Sequence, residues 1–263
     1  FIIRYDHQLK NLEHFHLNPE DSTTAPIAYR IQRLIPWKEN KILVGTRQKG
    51  IYVFDTKNRS FTPFINNPHP LLQSLYVASN GNIFTSHYGE GVFCYDPNGK
   101  ELYNYCTYNS SLTYNYIIDI TEHDGKIWVA TDGGGINLFP LNGGEIKNIQ
   151  QKAGDGTSLP DNSILTFYKD KEGNLWAGSV REGIFIIKKN QIQTFKETVP
   201  NTPFGLSDKT VISLYEEDNG EVWIGTDGGG VNHYSPYTNQ FTHYPNTFGD
   251  KITSITEYSE EEM

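Results

Sequence analysis

Lys126–Phe139 reads KIWVATDGGGINLF and Glu221–Tyr234 reads EVWIGTDGGGVNHY, and the same fourteen-residue frame returns three more times. KILVGTRQKGIYVF starts at Lys41, NIFTSHYGEGVFCY at Asn82 and NLWAGSVREGIFII at Asn174. The starts are 41, 44, 48 and 47 residues apart, a period of about 45, and a period of 20 to 50 residues marks a repeat architecture. The third position holds Leu43, Phe84, Trp128, Trp176 and Trp223, and seven residues later stands Gly50, Gly91, Gly135, Gly183 and Gly230.

Around each frame the hydrophobicity alternates over short runs, with no helical period. An apolar stretch beginning at Ile31, Leu72, Ile117, Ile164 or Val211 precedes it, and a mixed stretch such as Phe61 to Phe64 or Phe241 to Tyr244 follows. Turn signals such as Glu172-Gly173-Asn174 and Asn219-Gly220 separate them. Each unit therefore reads as four short strands, A to D, which predicts an all-β propeller segment of four-stranded antiparallel blades. The blades are expected at 30–64, 72–105, 116–149, 164–196 and 211–244. A partial blade is expected at 1–17, where FIIRYD matches GIYVFD from Gly50, and a further strand A at 252–258. Five whole blades and two partial ones, in a chain that opens on Phe1 without an initiator, lead us to expect a piece of a longer protein with more repeats. Strand A carries Arg33, Ser74, Asp119, Thr166, Ser213 and Ser254 at one equivalent position, a polarity that suits a water-filled channel.

Composition narrows the function classes. The chain has 263 residues, 37% of them apolar, and Lys+Arg 22 against Asp+Glu 31 gives a formal charge of -9. That balance lacks the clustered bases a nucleic-acid surface needs. No run of about 18 apolar residues occurs, so no membrane-inserted segment is expected. Cys94 and Cys106 lie in neighbouring expected strands, but a hairpin turning at Asn98-Gly99 sets position 94 against about 103, which does not favour a disulfide.

Several motifs have a structural and a chemical reading. The tryptophans at strand B are expected as blade-packing residues rather than sugar platforms. The TDGGG runs at Thr131–Gly135 and Thr226–Gly230 precede a strand, whereas a phosphate loop needs a following helix, so they read as B-to-C turns. His14 and His16 alternate without a third ligand beside them, and no metal site or cofactor is expected. Asp218-Asn219-Gly220-Glu221-Val222-Trp223 partly matches a sialidase Asp box, with Glu216 where Ser or Thr should lead. No catalytic residue is assigned. Candidate ligand contacts are the B-to-C turn residues Arg47, His87, Tyr88, Asp132, Arg181 and Asp227, donors and acceptors that suit hydroxyl-rich or acidic sugars. Tyr108, Asp155 and Phe204 of the D-to-A loops are weaker candidates. Trp128, Trp176, Trp223, Gly135, Gly183 and Gly230 are expected to be structural.

The frame D-x-x-G-x-[LV]-W-[IVA]-G-T-x-x-G-G-[VI], best seen in VWIGTDGGGV at Val222–Val231, resembles the two-component regulator propeller repeat. Leu43 and Phe84 depart from its Trp, and Ser86 from its Gly. The resemblance implies the periplasmic sensor half of a Bacteroides-type hybrid two-component histidine kinase, anchored in the inner membrane. In such proteins the repeats make seven-bladed rings ahead of a membrane helix and kinase, receiver and DNA-binding modules. It further implies an oligosaccharide ligand, a second sensor chain as dimer partner, the remaining repeats as neighbours, and control of polysaccharide-utilisation genes. A protein-interaction scaffold and, behind it, a glycan-cleaving propeller enzyme are the alternative readings.

Overall fold

A computed structural model describes residues 2–5, 12–15, 17, 29–66, 69, 71–152, 158–188, 191–197, 203–244, 247 and 249–256. They contain twenty-two strands and no α-helix. Five four-stranded antiparallel sheets follow one another along the chain, each a simple meander. The first comprises β3 (Ile31–Lys38), β4 (Lys41–Thr46), β5 (Ile51–Asp55) and β6 (Ser60–Ile65), and the second β7 (Leu72–Val77), β8 (Ile83–His87), β9 (Gly91–Tyr95) and β10 (Glu101–Tyr105). The third runs through β11 (Ile117–His123), β12 (Lys126–Thr131), β13 (Ile136–Pro140) and β14 (Lys147–Ile149). The fourth has β15 (Ile164–Lys169), β16 (Leu175–Ser179), β17 (Ile184–Lys188) and β18 (Gln191–Phe195), and the fifth β19 (Val211–Glu216), β20 (Val222–Thr226), β21 (Val231–Ser235) and β22 (Gln240–Tyr244). Ahead of them β1 (Ile2–Tyr5) and β2 (Leu12–Phe15) form a hairpin. Two compact units divide the chain, one within Phe1–Cys106 and one within Thr107–Glu257.

Strand B is apolar on successive residues because both of its faces are covered. In the second unit, Trp128 and Ala130 of the third sheet pack on Ile164, Phe167, Leu175, Ala177 and Phe185 of the fourth. Trp176 of the fourth sheet then packs on Val211, Val222, Ile224, Tyr234 and Phe241 of the fifth. Each of these tryptophans fills the gap between its own sheet and the next, and each is almost fully buried. In the first unit Leu43, Ile51 and Ile65 pack against Leu75, Ile83, Phe93 and Tyr95 in the same way.

The ends of strand B repeat one device. Thr46, Thr131, Ser179 and Thr226 are buried, and each hydroxyl donates to the carbonyl four residues on, at Gly50, Gly135, Gly183 and Gly230, over 2.7–3.0 Å. The glycines of all five turns lie at φ of +73° to +82°. A Cβ on Gly135 would sit 2.4 Å from the Ile149 carbonyl and one on Gly183 2.2 Å from that of Phe195, so conformation and space both demand glycine.

Two expectations need correction. Every A–B pairing shifts register after its first residue, as between Ile117 and Asp119, a bulge that re-aims the polar position of strand A. There Ser74 and Ser213 are buried, and Asp119 Oδ2 accepts the Phe167 amide at 2.8 Å, so in these three the polarity serves the protein itself rather than a wet channel. Residues 252–256, expected to open another strand A, carry no strand; a ladder needs a partner, and only Lys251 bridges to Asp227. Trp223 is half-buried where Trp128 and Trp176 are buried, and its ring lies against His233 and Tyr244 of its own sheet at 4.3 and 5.1 Å.

Cys94 opposes Tyr103 across the β9–β10 ladder, and both cysteines are buried free thiols. Burial pushes the Cys94 thiol up to about 11.

Candidate functional site

The residue following strand B has one backbone role in every sheet. The amide N–H groups of Arg47, Tyr88, Asp132, Val180 and Asp227 donate over 2.8–3.1 Å to the carbonyl just ahead of their own strand A, at Arg30, Leu71, Tyr116, Ser163 and Thr210. This fixes the start of the B-to-C turn against the end of the D-to-A loop, so a side chain at that position leaves the sheet edge beside the loop.

In the first unit, Tyr88 is 53% exposed and Arg47 half-buried. Both are tied to the Leu71 peptide: the Arg47 carbonyl accepts the Leu71 amide at 2.6 Å and Tyr88 donates to the Leu71 carbonyl at 3.1 Å. Leu71 is held at φ +60°. His87 is a correction. It takes the buried hydroxyl position of the other four sheets, is 3% exposed, and its ring meets Phe93 edge-on at 5.5 Å, so it belongs to the interior rather than to a ligand surface.

In the second unit, Asp132 and Gly133 are exposed, and the chain ahead of strand A brings two tyrosines beside them. Tyr114 and Tyr116 stack obliquely at 5.2 Å, with Tyr114 40% exposed, and a Cβ on Gly133 would come within 3.9 Å of the Tyr114 ring. A carboxylate near the exposed Tyr114, which is backed by the half-buried Tyr116, offers a stacking surface with a hydroxyl acceptor nearby. The amides of the TDGGG turn are not free for an anion: Gly133 and Gly135 donate to the Asn162 carbonyl and Gly134 to Thr131 Oγ1.

Arg181 is engaged by its own fold. Its amide and guanidinium bond Asp161, which is 4% exposed, at 3.0 and 3.2 Å, and Nη2 also donates to Ser163. Asp227 pairs with Lys251 Nζ at 3.0 Å. Tyr108 and Phe204 stand 85% and 71% exposed, whereas Asp155, His16 and the His14 side chain lie outside the described residues. Tyr114 and Tyr116 escape a reading focused on the glycine turns; the signal for them is the T-Y-N-Y run immediately before the strand-A register position.

One group of three possible metal ligands occurs among the described residues, Glu217, Glu221 and His233, with donor atoms within 4.8 Å of one another. Glu217 Oε1 takes the Trp223 indole N–H at 2.6 Å, and Asn219 Nδ2 donates to both glutamates at 3.1 Å. His233 Nε2 lies 3.5 Å from Glu221 Oε2.

A run of five four-stranded meanders with a tryptophan or large apolar residue at strand B and a left-handed glycine at each B-to-C turn defines an all-β propeller-type protein. Residues 158–181 and 205–228 match the two-component regulator propeller family. Among curated proteins no relative matches. Among solved structures, the extracellular domain of a protein described as a hybrid two-component system from B. thetaiotaomicron is similar at TM-score 0.69 and 22% identity, over 84% of this chain and 30% of that one. The extracellular domain of a described one-component system from the same organism gives 0.66 and 19%, over 90% of this chain and 32% of that one. A protein of unknown function from Bacteroides caccae gives 0.54 and 13%, over 85% of each chain. This chain thus spans about a third of the first two structures it matches. No helix among the described residues is long and apolar enough to cross a membrane.

Proposed function

We propose that this chain is an extracytoplasmic, non-enzymatic ligand-sensing segment of a two-component system, and that its ligand is an oligosaccharide. The observation that carries the sensor reading is the match of two of its repeats to the two-component regulator propeller. The sugar reading rests on Asp132 with Tyr114 and Tyr116, a carboxylate near one exposed and one half-buried tyrosine that stack obliquely. In the whole protein the segment would stand on the periplasmic side of the inner membrane, next to further repeats. Ligand would shift the population between two arrangements of a dimer whose kinase and regulator modules control polysaccharide-utilisation genes.

A thermal-shift screen of the chain against plant, host and microbial oligosaccharides tests this, since a ligand that binds only the native state raises the melting temperature. A reproducible rise with one glycan class supports the reading. Silence across the panel, with a peptide partner captured instead, would replace it by a protein-interaction function, and release of reducing sugar by the chain would replace it by an enzyme.

A further inference from the structure

The A-to-B turn end of the fourth and fifth sheets, opposite their B-to-C turns, holds a cleft of about 500 Å³ that the sequence motifs do not reveal. One wall is Trp176, Ile186, Tyr234 and Tyr237, an apolar and aromatic surface. The other wall is acidic. Asp170, Glu172, Glu216 and Asp218 face a single base, Lys171, so four negative charges and one positive leave a balance of -3.

Two of these carboxylates are nine-tenths buried, Asp170 at 8% and Glu216 at 5% exposure. Asp170 is fully occupied: its oxygens accept the Asn174 amide at 2.6 Å, the Asn174 side chain at 2.8 Å and the Trp176 indole N–H at 2.9 Å. Glu216 is not. Its Oε2 accepts the Lys171 amide at 2.9 Å, and among the described residues Oε1 receives no donor. Glu216 lines the cleft, and a charged donor answers such a carboxylate oxygen best. Lys171 displays the preference of the place: its ammonium pairs with Asp218, and that bond, together with the charges of Asp218 and Glu216, holds its proton more tightly than usual.

We propose that this cleft binds an organic cation, an ammonium or guanidinium group on an apolar stem, with the charged head at Glu216 and the stem along the exposed Tyr237 and the small uncovered edges of Trp176 and Tyr234. The head gains a charge-assisted hydrogen bond and the field of four carboxylates, and the aromatic wall adds cation–π attraction. A neutral sugar would use the same acceptors but gain nothing from the charge balance. The site is distinct from the Asp132 region and does not depend on the oligosaccharide reading.

The test is calorimetry on the 263-residue chain with agmatine and spermidine as small cations, a short arginine-containing peptide as the basic side-chain source, and maltohexaose as the neutral probe. We expect saturable cation binding that weakens as salt rises. Glu216→Gln should weaken it at least roughly tenfold, the size of one charged hydrogen bond, and Lys171→Met, which removes the internal competitor, should tighten it. Binding of the peptide alone would assign the cation to a protein partner, and binding of the small amines would assign it to a free ligand; either supports the cation site. Should Glu216→Gln fail to fold, Tyr237→Ser, at a side chain 76% exposed, gives the same readout. No cation binding at millimolar concentration overturns the proposal. So does binding unaltered in the folded variants, or maltohexaose binding that those variants abolish.

Discussion

At the scale of single residues, one hydroxyl and one glycine close four of the five B-to-C turns, and in the second sheet His87 stands at the hydroxyl position. Thr131 Oγ1 donates to the Gly135 carbonyl at 2.8 Å and accepts the Gly134 amide at 2.9 Å, while Gly135 itself stands at φ +75°. Gly135→Ala meets both a left-handed backbone and the Ile149 carbonyl, and should destabilise the chain by roughly 2 kcal/mol or more, read as a lower midpoint in urea. The tryptophans divide by burial. Trp176→Ala should cost about 3–5 kcal/mol, and Trp223→Ala only about 1–2 kcal/mol, because part of that ring is already in water. Equal losses would contradict the packing account. These glycines and tryptophans are legible in the sequence because the repeat aligns them. His87 is misread for the same reason: it follows the aligned threonine and serine hydroxyls into the interior, while its residue type points to a surface ligand.

At the scale of the elements, the described residues just ahead of strand A pack into the core as the strands do. Leu112, Leu159 and Leu206, each five residues ahead of strand A, are buried. The next residue, where it carries a hydroxyl, clasps strand C: Thr113 and Ser207 exchange hydrogen bonds with the fully buried Asn137 and Asn232. Asn137→Ala leaves these groups without partners and should cost about 1–3 kcal/mol, with faster amide exchange at Thr113 as the local sign. The leucine spacing was present in the sequence, but polar loops draw attention to ligands instead of packing. The A–B bulges left no such trace, since register depends on how two strands pair rather than on either alone.

Two further predictions belong to elements. His123 ends β11 against the Trp128 ring, and burial holds its imidazole below the usual range despite Asp124 at 3.6 Å. The folded chain therefore takes up this proton less readily than the unfolded chain, so the stability is present above about pH 6.5 and lost as pH falls towards the folded value. Urea unfolding at about pH 7.5 and about pH 5.5 should show the loss in the parent and a smaller one in His123→Asn. In the second sheet, the buried Cys94 thiol, pushed up to about 11, and the buried Cys106 should resist a thiol reagent at neutral pH until the chain unfolds. Rapid labelling of both in the folded chain would contradict that burial.

At the scale of the whole molecule, the repeat reveals the fold class, and the ligand surface follows only in part. Of the six expected contacts, Tyr88 and Asp132 are exposed, Arg181 and Asp227 are held by Asp161 and Lys251, Arg47 is half-buried and His87 buried. Position along the repeat places a residue at the sheet edge; its neighbours in the loop ahead of strand A, unequal from sheet to sheet, decide what holds it. The same reasoning makes Asp132 with Tyr114 the point at which a sugar would act. The direct measurement is calorimetric titration of the chain, of Tyr114→Ala and of Asp132→Ala with the oligosaccharide that raises the melting temperature most. The account predicts roughly tenfold or greater weakening in each variant, as expected on losing a stacked ring or a charged acceptor, with the melting temperature of the free protein unchanged. Affinity equal to the parent in both folded variants would contradict it.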